Sequence, residues 1–242
     1  MINTYFRFYA ELSHFLPSHR RDRAFSHNIL GKASIKDTIE SLGVPHTEVD
    51  RILVNDKKVD FSYILQNGDN CHIYPVSLQQ NQPIYPVRFI LDVHLGKLAN
   101  QLRMLGFDTL YRNDYADEEL ADISSQENRI LLTRDLGVLK RGIVNLGYYV
   151  RATNPEKQLT EVMQRFNLFN LINPFARCIH CNGLLAPVAK ENIIDKLPQK
   201  VQENYQQFSQ CPDCNQIFWQ GTHFEKMQQF IDNLITNQTI TN

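Results

Sequence analysis

No stretch of the 242-residue chain approaches the roughly 18 consecutive apolar residues that a membrane span requires. The N-terminus, Met1-Ile2-Asn3-Thr4-Tyr5-Phe6-Arg7, lacks the charged and apolar regions of a secretory signal. A soluble, cytoplasmic protein with no membrane partner is expected. Charge of one sign is missing as well. The formal net charge is −1, and the balance holds region by region: nine basic and nine acidic residues in 1–80, nine and nine in 86–152, seven and eight in the remainder. There is no polybasic arm, so any nucleic-acid contact has to come from a local patch. No Gly-x-Gly-x-x-Gly follows a strand-like run, which argues against a dinucleotide site. Cysteine is scarce: there are five, four of them in two Cys-x-x-Cys pairs. That usage fits metal binding in a reducing compartment better than a disulfide framework. The fifth, Cys71, lies in an apparent strand and reads as a small buried hydrophobe.

Strands and one helix fill residues 1–78. Thr4–Ala10 alternates as a strand, and Ser34-Ile35-Lys36-Asp37 opens a helix with Ser34 as its cap and Ile35, Ile39 and Leu42 on one face. Ile52-Leu53-Val54, Asn55-Asp56 and Lys57-Lys58-Val59 read as a tight hairpin, and Asn67-Gly68-Asp69 turns the chain into Cys71-His72-Ile73-Tyr74. This is the order of a ubiquitin-like β-grasp domain (α+β), and the stretch resembles the small sulfur-carrier members of that fold. Those carriers react through a free C-terminal Gly-Gly, whereas this chain continues through Pro75 into Gln79-Gln80-Asn81-Gln82-Pro83. A packing or protein-binding module is expected, followed by a linker at 79–85.

Residues 86–172 alternate strand and helix. Arg88-Phe89-Ile90-Leu91 runs into Asp92, and Leu95, Leu98, Ala99, Leu102 and Leu105 then fall at helical spacing, with Gly106 where a left-handed cap belongs. Thr109-Leu110-Tyr111 is a short strand, and Asp117-Glu118-Glu119-Leu120 begins a second helix. Ile130-Leu131-Leu132-Thr133-Arg134 leads to Asp135, Gly147-Tyr148-Tyr149-Val150 forms a further strand, and Pro155 to Phe166 a helix. The order predicts an α/β doubly wound, mostly parallel sheet.

Two of these strands end in an aspartate, and in such sheets chemistry sits beyond the carboxyl ends of the strands. Holding Mg²⁺ or Mn²⁺ for phosphodiester cleavage needs carboxylates from several strands, with room left for water and a phosphate oxygen. Asp92 and Asp135 provide two stations, and Asp114-Tyr115-Ala116-Asp117-Glu118-Glu119 a third. Each acid could instead cap its helix. A haloacid-dehalogenase-type site would need a second acid two residues after Asp92, where this chain has His94.

In residues 173–242, Cys178-Ile179-His180-Cys181 and Cys211-Pro212-Asp213-Cys214 present four thiolates from two tight turns, the donor set of a closed tetrahedral zinc site. One structural zinc on Cys178, Cys181, Cys211 and Cys214 is expected, with His180 a polar knuckle residue. Phe224, Met227, Phe230, Ile231 and Leu234 mark a closing helix.

Three patterns now coincide. Asp92-x-x-Leu95-Gly96-x-Leu98-Ala99-x-x-Leu102-Arg103-x-Leu105-Gly106-Phe107-Asp108-Thr109 is followed by Arg129-Ile130-Leu131-Leu132-Thr133-Arg134-Asp135, then by the two Cys pairs with Trp219-Gln220-Gly221-Thr222-His223. Together they resemble the Mut-seven C-terminal RNase family, a PIN-like nuclease domain with a zinc ribbon, often preceded by a ubiquitin-like domain. The resemblance covers nearly the whole chain. It implies a PIN-like fold, divalent-metal-dependent RNA cleavage, and catalytic acids at Asp92, at Asp117 or Glu118, and at Asp135. Many PIN nucleases carry one more acid soon after the last of these, yet 136–155 contain neither Asp nor Glu. Lys97, Arg103 and Arg134 are candidates for holding the RNA backbone; His94 and His223 read as structural. The alternative is a non-catalytic RNA- or protein-binding adaptor in which the acids only cap helices.

Overall fold

The computed structural model describes residues 1–76 and 86–241, so the expected linker at 79–85 lies outside the described residues. The N-terminal sheet holds β1 (Ile2–Phe8), β2 (Phe25–Ile29), the helix α1 (Ile35–Ser41), β3 (Val49–Val54), β4 (Lys57–Val59) and β5 (Asn70–Pro75). Their order is β2-β1-β5-β3-β4, with β1 and β5 parallel at the centre, the β-grasp arrangement expected. Ser34 caps α1, its Oγ accepting from the Asp37 N–H at 3.0 Å. Asn55 and Asp56 both take positive φ, +49° and +64°, as a two-residue hairpin turn of matching twist requires. Phe6, Phe8, Ile35, Ile39, Ile52 and Ile73 fill the core, and Cys71 is fully buried among them.

Two differences from the sequence reading have local causes. β1 ends at Phe8, not Ala10, because Ala10 adopts φ +48° and starts a 3₁₀ turn, Ala10–Phe15. β2 escaped notice because Phe25-Ser26-His27-Asn28-Ile29 is an edge strand with only one fully buried residue, so its alternation is weak.

The second sheet has the order β7-β6-β8-β9, built from β6 (Arg88–Leu91), α2 (Gly96–Met104), β7 (Asp108–Tyr111), α3 (Asp117–Gln126), β8 (Ile130–Thr133), the unforeseen short helix α4 (Leu136–Leu139), and β9 (Gly147–Tyr149). β8 and β9 are parallel. The strand order reverses at β6, with β7 on one side of it and β8 on the other, so the carboxyl ends of β6 and β8 lie at a topological switch point. α5 (Pro155–Arg165) follows, with Asn154 capping its first turn. A three-stranded sheet, β10 (Ala186–Val188), β11 (Phe208–Gln210) and β12 (Ile217–Trp219), carries the inserted helix α6 (Gln199–Asn204), and α7 (Thr222–Thr241) closes the chain. No helix among the described residues is long and apolar enough to cross a membrane.

Two compact units result: Met1–Gln82 with Ile90–His94 and Arg112–Arg151, and Pro83–Phe89 with Leu95–Tyr111 and Ala152–Asn242. Segments of the expected 86–172 domain thus fall in both.

Candidate active site and zinc centre

β6 and β8 are buried throughout all but Arg88, and each delivers its chain to an aspartate at the sheet's edge. Asp92 is only 5% exposed. Its Oδ1 accepts from the His94 N–H at 2.8 Å, and its Oδ2 accepts from the Arg134 N–H at 2.8 Å and from the Thr133 hydroxyl. The same Thr133 oxygen accepts from the Asp135 N–H at 2.8 Å. One hydroxyl therefore ties the Asp92 carboxylate to the backbone of Asp135. Asp135 is exposed and caps α4, its Oδ1 accepting from the Gly137 N–H at 2.6 Å. The capping role anticipated for it is real, and its other oxygen has no hydrogen-bond partner among the described residues.

The third station is looser. Asp117 and Glu118 stand exposed in the first turn of α3, and neither carboxylate has a partner among the described residues. Glu119 turns back to accept from the Ala116 N–H at 3.1 Å. Asp114 is engaged by Arg112 at 2.9 and 2.8 Å, and that hydrogen-bonded guanidinium holds its carboxyl below the usual range. Among the described residues, no three carboxylate or histidine side chains bring ligand atoms within 4.8 Å of one another. Asp92, Asp117, Glu118 and Asp135 thus form no three-carboxylate cluster at that spacing, and the link between Asp92 and Asp135 runs through Thr133 to the Asp135 backbone.

The four cysteines do meet that spacing. Cys178 Sγ lies 3.6 Å from Cys214 Sγ, and Cys181 Sγ 3.4 Å from Cys211 Sγ, close to the roughly 3.8 Å edge of a tetrahedron with 2.3 Å zinc–sulfur bonds. The two turns match. Cys178 and Cys211 donate their N–H groups to Gly183 O and Gln216 O, and Asn182 and Asn215 take φ +76° and +61° behind the second cysteine of each pair. The set can hold one zinc.

The residues matched by the Mut7-C RNAse domain model run from 87 to 231, and those matched by the Mut7-C ubiquitin model from 1 to 81. The chain belongs to the Mut7-C RNase family. No curated protein and no solved structure matches it. The Mut7-C RNase span takes in Asp92, Asp135 and both cysteine pairs, and the structure gives a reason for that union. Arg103, expected to contact RNA, is 3% exposed and points inward. Its Nε donates to Thr109 O at 2.9 Å, and one terminal nitrogen donates to Ile179 O and His180 O at 3.2 and 2.9 Å. Arg103 is thus removed from the RNA contacts: it clamps the first zinc knuckle to the β7 segment. Asn182 completes the clamp, accepting from the Thr109 N–H and donating to Asp108, both at 2.8 Å.

Arg134 also spends part of its guanidinium on the fold, donating to Val150 O and Arg151 O at 3.0 and 3.1 Å. Lys97, His94 and His223 are exposed. Sequence reasoning missed Thr133 and Asn182. Thr133 stands as the last residue before Arg134-Asp135, where a buried hydroxyl next to an aspartate was the available signal. Asn182 sits one place after a knuckle cysteine, a position that favours Asn because the backbone turns left-handed there.

Proposed function

We propose that the chain is a divalent-metal-dependent ribonuclease that hydrolyses RNA phosphodiester bonds, with Asp92 and Asp135 holding Mg²⁺ or Mn²⁺. The observation that supports this reading is the placement of Asp92 and Asp135 just beyond the neighbouring strands β6 and β8 of a Mut7-C RNase domain, with Thr133 linking the Asp92 carboxylate to the Asp135 backbone. The donor chemistry fits. Carboxylate oxygens are hard ligands suited to these ions, Asp92 Oδ1 accepts a single N–H, and Asp135 Oδ2 has no partner among the described residues.

A divalent ion held there supplies charge neutralisation for the phosphate and a lowered pKa for the attacking water. The chain's own residues do the positioning. Thr133 and the N–H groups of His94 and Arg134 fix the Asp92 carboxylate, and the first turn of α4 fixes Asp135. Asp117 or Glu118 orients the water and takes its proton, while Lys97 and Arg134 hold the RNA backbone. One catalytic metal is proposed, because 136–155 offer no further acid. The zinc on the four cysteines has a closed shell and serves the fold.

Cleavage of labelled single-stranded and folded RNA by the zinc-loaded protein, with Mn²⁺, with Mg²⁺ and without either, tests this beside Asp135→Asn. Metal-dependent cleavage that the variant lacks is expected. Full activity in the variant would contradict the assignment.

A second reading, a non-catalytic RNA- or protein-binding adaptor, is favoured by one observation: no third carboxylate comes within ligand spacing of Asp92 and Asp135 among the described residues. An adaptor would bind zinc alone, whereas the nuclease binds Mg²⁺ or Mn²⁺ through its acids as well.

A further inference from the structure

The Trp219-Gln220-Gly221-Thr222-His223 segment takes no part in the carboxylate site. It follows β12, the edge strand of the zinc-ribbon sheet, and beside that strand opens a cavity of about 760 Å³. This lies within the roughly 300–1,000 Å³ range of sites for small ligands. Phe218 and Trp219, both half-buried, line it together with His180 from the first knuckle, Lys200 from α6 and His223 from the start of α7. Lys200, His180 and His223 are exposed.

Among the described residues no Asp or Glu lines the cavity, although acids outnumber bases by eight to seven in 153–242. The Trp219 ring packs against the backbone of Gly221, where only a glycine leaves it room. A Cβ on Gly221 would come within 2.9 Å of Trp219 Nε1 and 3.3 Å of the Tyr205 hydroxyl. The His180 ring lies 6.3 Å from that of Phe218, which places a nitrogen donor group beside the wall.

We propose that this cavity binds one nucleotide of single-stranded RNA, its base stacked on Phe218 or Trp219 and its phosphate met by Lys200, His180 and His223. Aromatic faces beside cationic and N–H groups, free of carboxylates, are the chemistry that recognises unpaired nucleotides. A neutral or basic peptide would gain nothing from a lining that offers several donors to one anion, and the aromatic faces favour a base over an acidic side chain. The proposal rests on the reading that the chain acts on RNA, and it assigns the zinc ribbon a substrate subsite in addition to its structural role.

The chain has a single tryptophan, so its emission reports from the cavity wall itself. The full-length, zinc-loaded Asp135→Asn protein, without Mg²⁺ or Mn²⁺, is titrated with hexauridylate, with hexaadenylate and with uridine monophosphate. Saturable quenching by the hexanucleotides is expected, with much weaker quenching by the mononucleotide. Phe218→Ala should weaken binding by about five-fold to about a hundred-fold, the range given by loss of one base–aromatic stack. Lys200→Ala, at an exposed position that leaves folding intact, should reduce the slope of log affinity against log salt by about 1.

Absence of quenching, or quenching with the same affinity and salt slope in both variants, would overturn the site. Mononucleotide binding as tight as that of RNA would overturn the assignment to a nucleotide within RNA. If the wild-type protein fails to cleave RNA while the quenching and its variant effects persist, the nuclease reading falls and this site stands.

Discussion

Thr133 has no charge and no chemistry of its own to offer a phosphate, yet its hydroxyl donates to Asp92 and accepts from the Asp135 N–H. Thr133→Val keeps the shape and leaves a buried carboxylate one donor short. A loss of about 1.5–3 kcal/mol in denaturant unfolding is expected, the worth of a hydrogen bond to a charged group, with at least a ten-fold fall in metal-dependent cleavage. Thr133→Ser should restore both, since it returns the hydroxyl. Gly183 shows the same dependence on single atoms at the zinc centre. A Cβ there would run into Asp213 Oδ2 and stand 2.9 Å from Cys211 Sγ, so Gly183→Ala should release zinc to a chelator faster than the wild type does. Cys71 gives a test of opposite sign. Burial, then the nearby Asp69 charge, push its thiol up to about 12, against about 8.5 in an unfolded chain. The folded chain keeps a proton that the unfolded chain gives up. Its contribution to stability is therefore complete below about pH 8.5 and is lost as the pH rises toward 12. At pH 8, alkylation after zinc removal should label four cysteines, and the fifth only in denaturant.

At the scale of elements, the sequence was legible wherever hydrophobic period and punctuation agreed. Ser34 before Ile35, Gly106 after Leu105 and Asn55-Asp56 between Ile52-Leu53-Val54 and Lys57-Lys58-Val59 each mark a boundary by local chemistry, and the structure places a cap, a left-handed turn at φ +93° and a hairpin there. The strand ends at Asp92 and Asp135 were visible for the same reason. What stayed hidden depends on contacts between residues distant in the chain. Arg103 looks like a cation on an amphipathic helix, and only the knuckle at Ile179-His180 reveals that it faces inward. Arg103→Lys should therefore weaken zinc retention and lower the melting temperature, because an ammonium cannot span three carbonyls as a planar guanidinium does. RNA affinity per folded molecule should be unchanged; a selective loss of RNA binding with intact zinc retention would return Arg103 to the substrate contacts. β2 and α4 were missed because a five-residue edge strand with one buried residue and a four-residue helix carry too little periodicity to stand out.

At the scale of the molecule, the ubiquitin-like domain is bonded to part of the Mut7-C RNase domain within one compact unit. Glu48, 1% exposed, accepts from the Tyr149 N–H at 2.7 Å and from Arg151 at 2.9 Å. His46 bridges Glu40 and Val144 O at 2.6 and 2.8 Å. The carbonyls of Val150 and Arg151 in turn hold Arg134, beside the aspartates. Glu48→Ala removes the buried partner of a half-buried Arg151 and of the Tyr149 N–H, and should cost about 1.5–3 kcal/mol, read by urea unfolding. It should lower cleavage as well, because the segment that carries Arg134's acceptors loses its anchor. The central claim, that Asp92 and Asp135 hold a catalytic ion, is tested most directly by Mn²⁺ titration of the zinc-loaded protein, followed by electron paramagnetic resonance. One Mn²⁺ bound in addition to the zinc, and lost in both Asp92→Asn and Asp135→Asn, is the result predicted. Zinc alone in the wild-type protein, or Mn²⁺ binding that both variants retain, would contradict it.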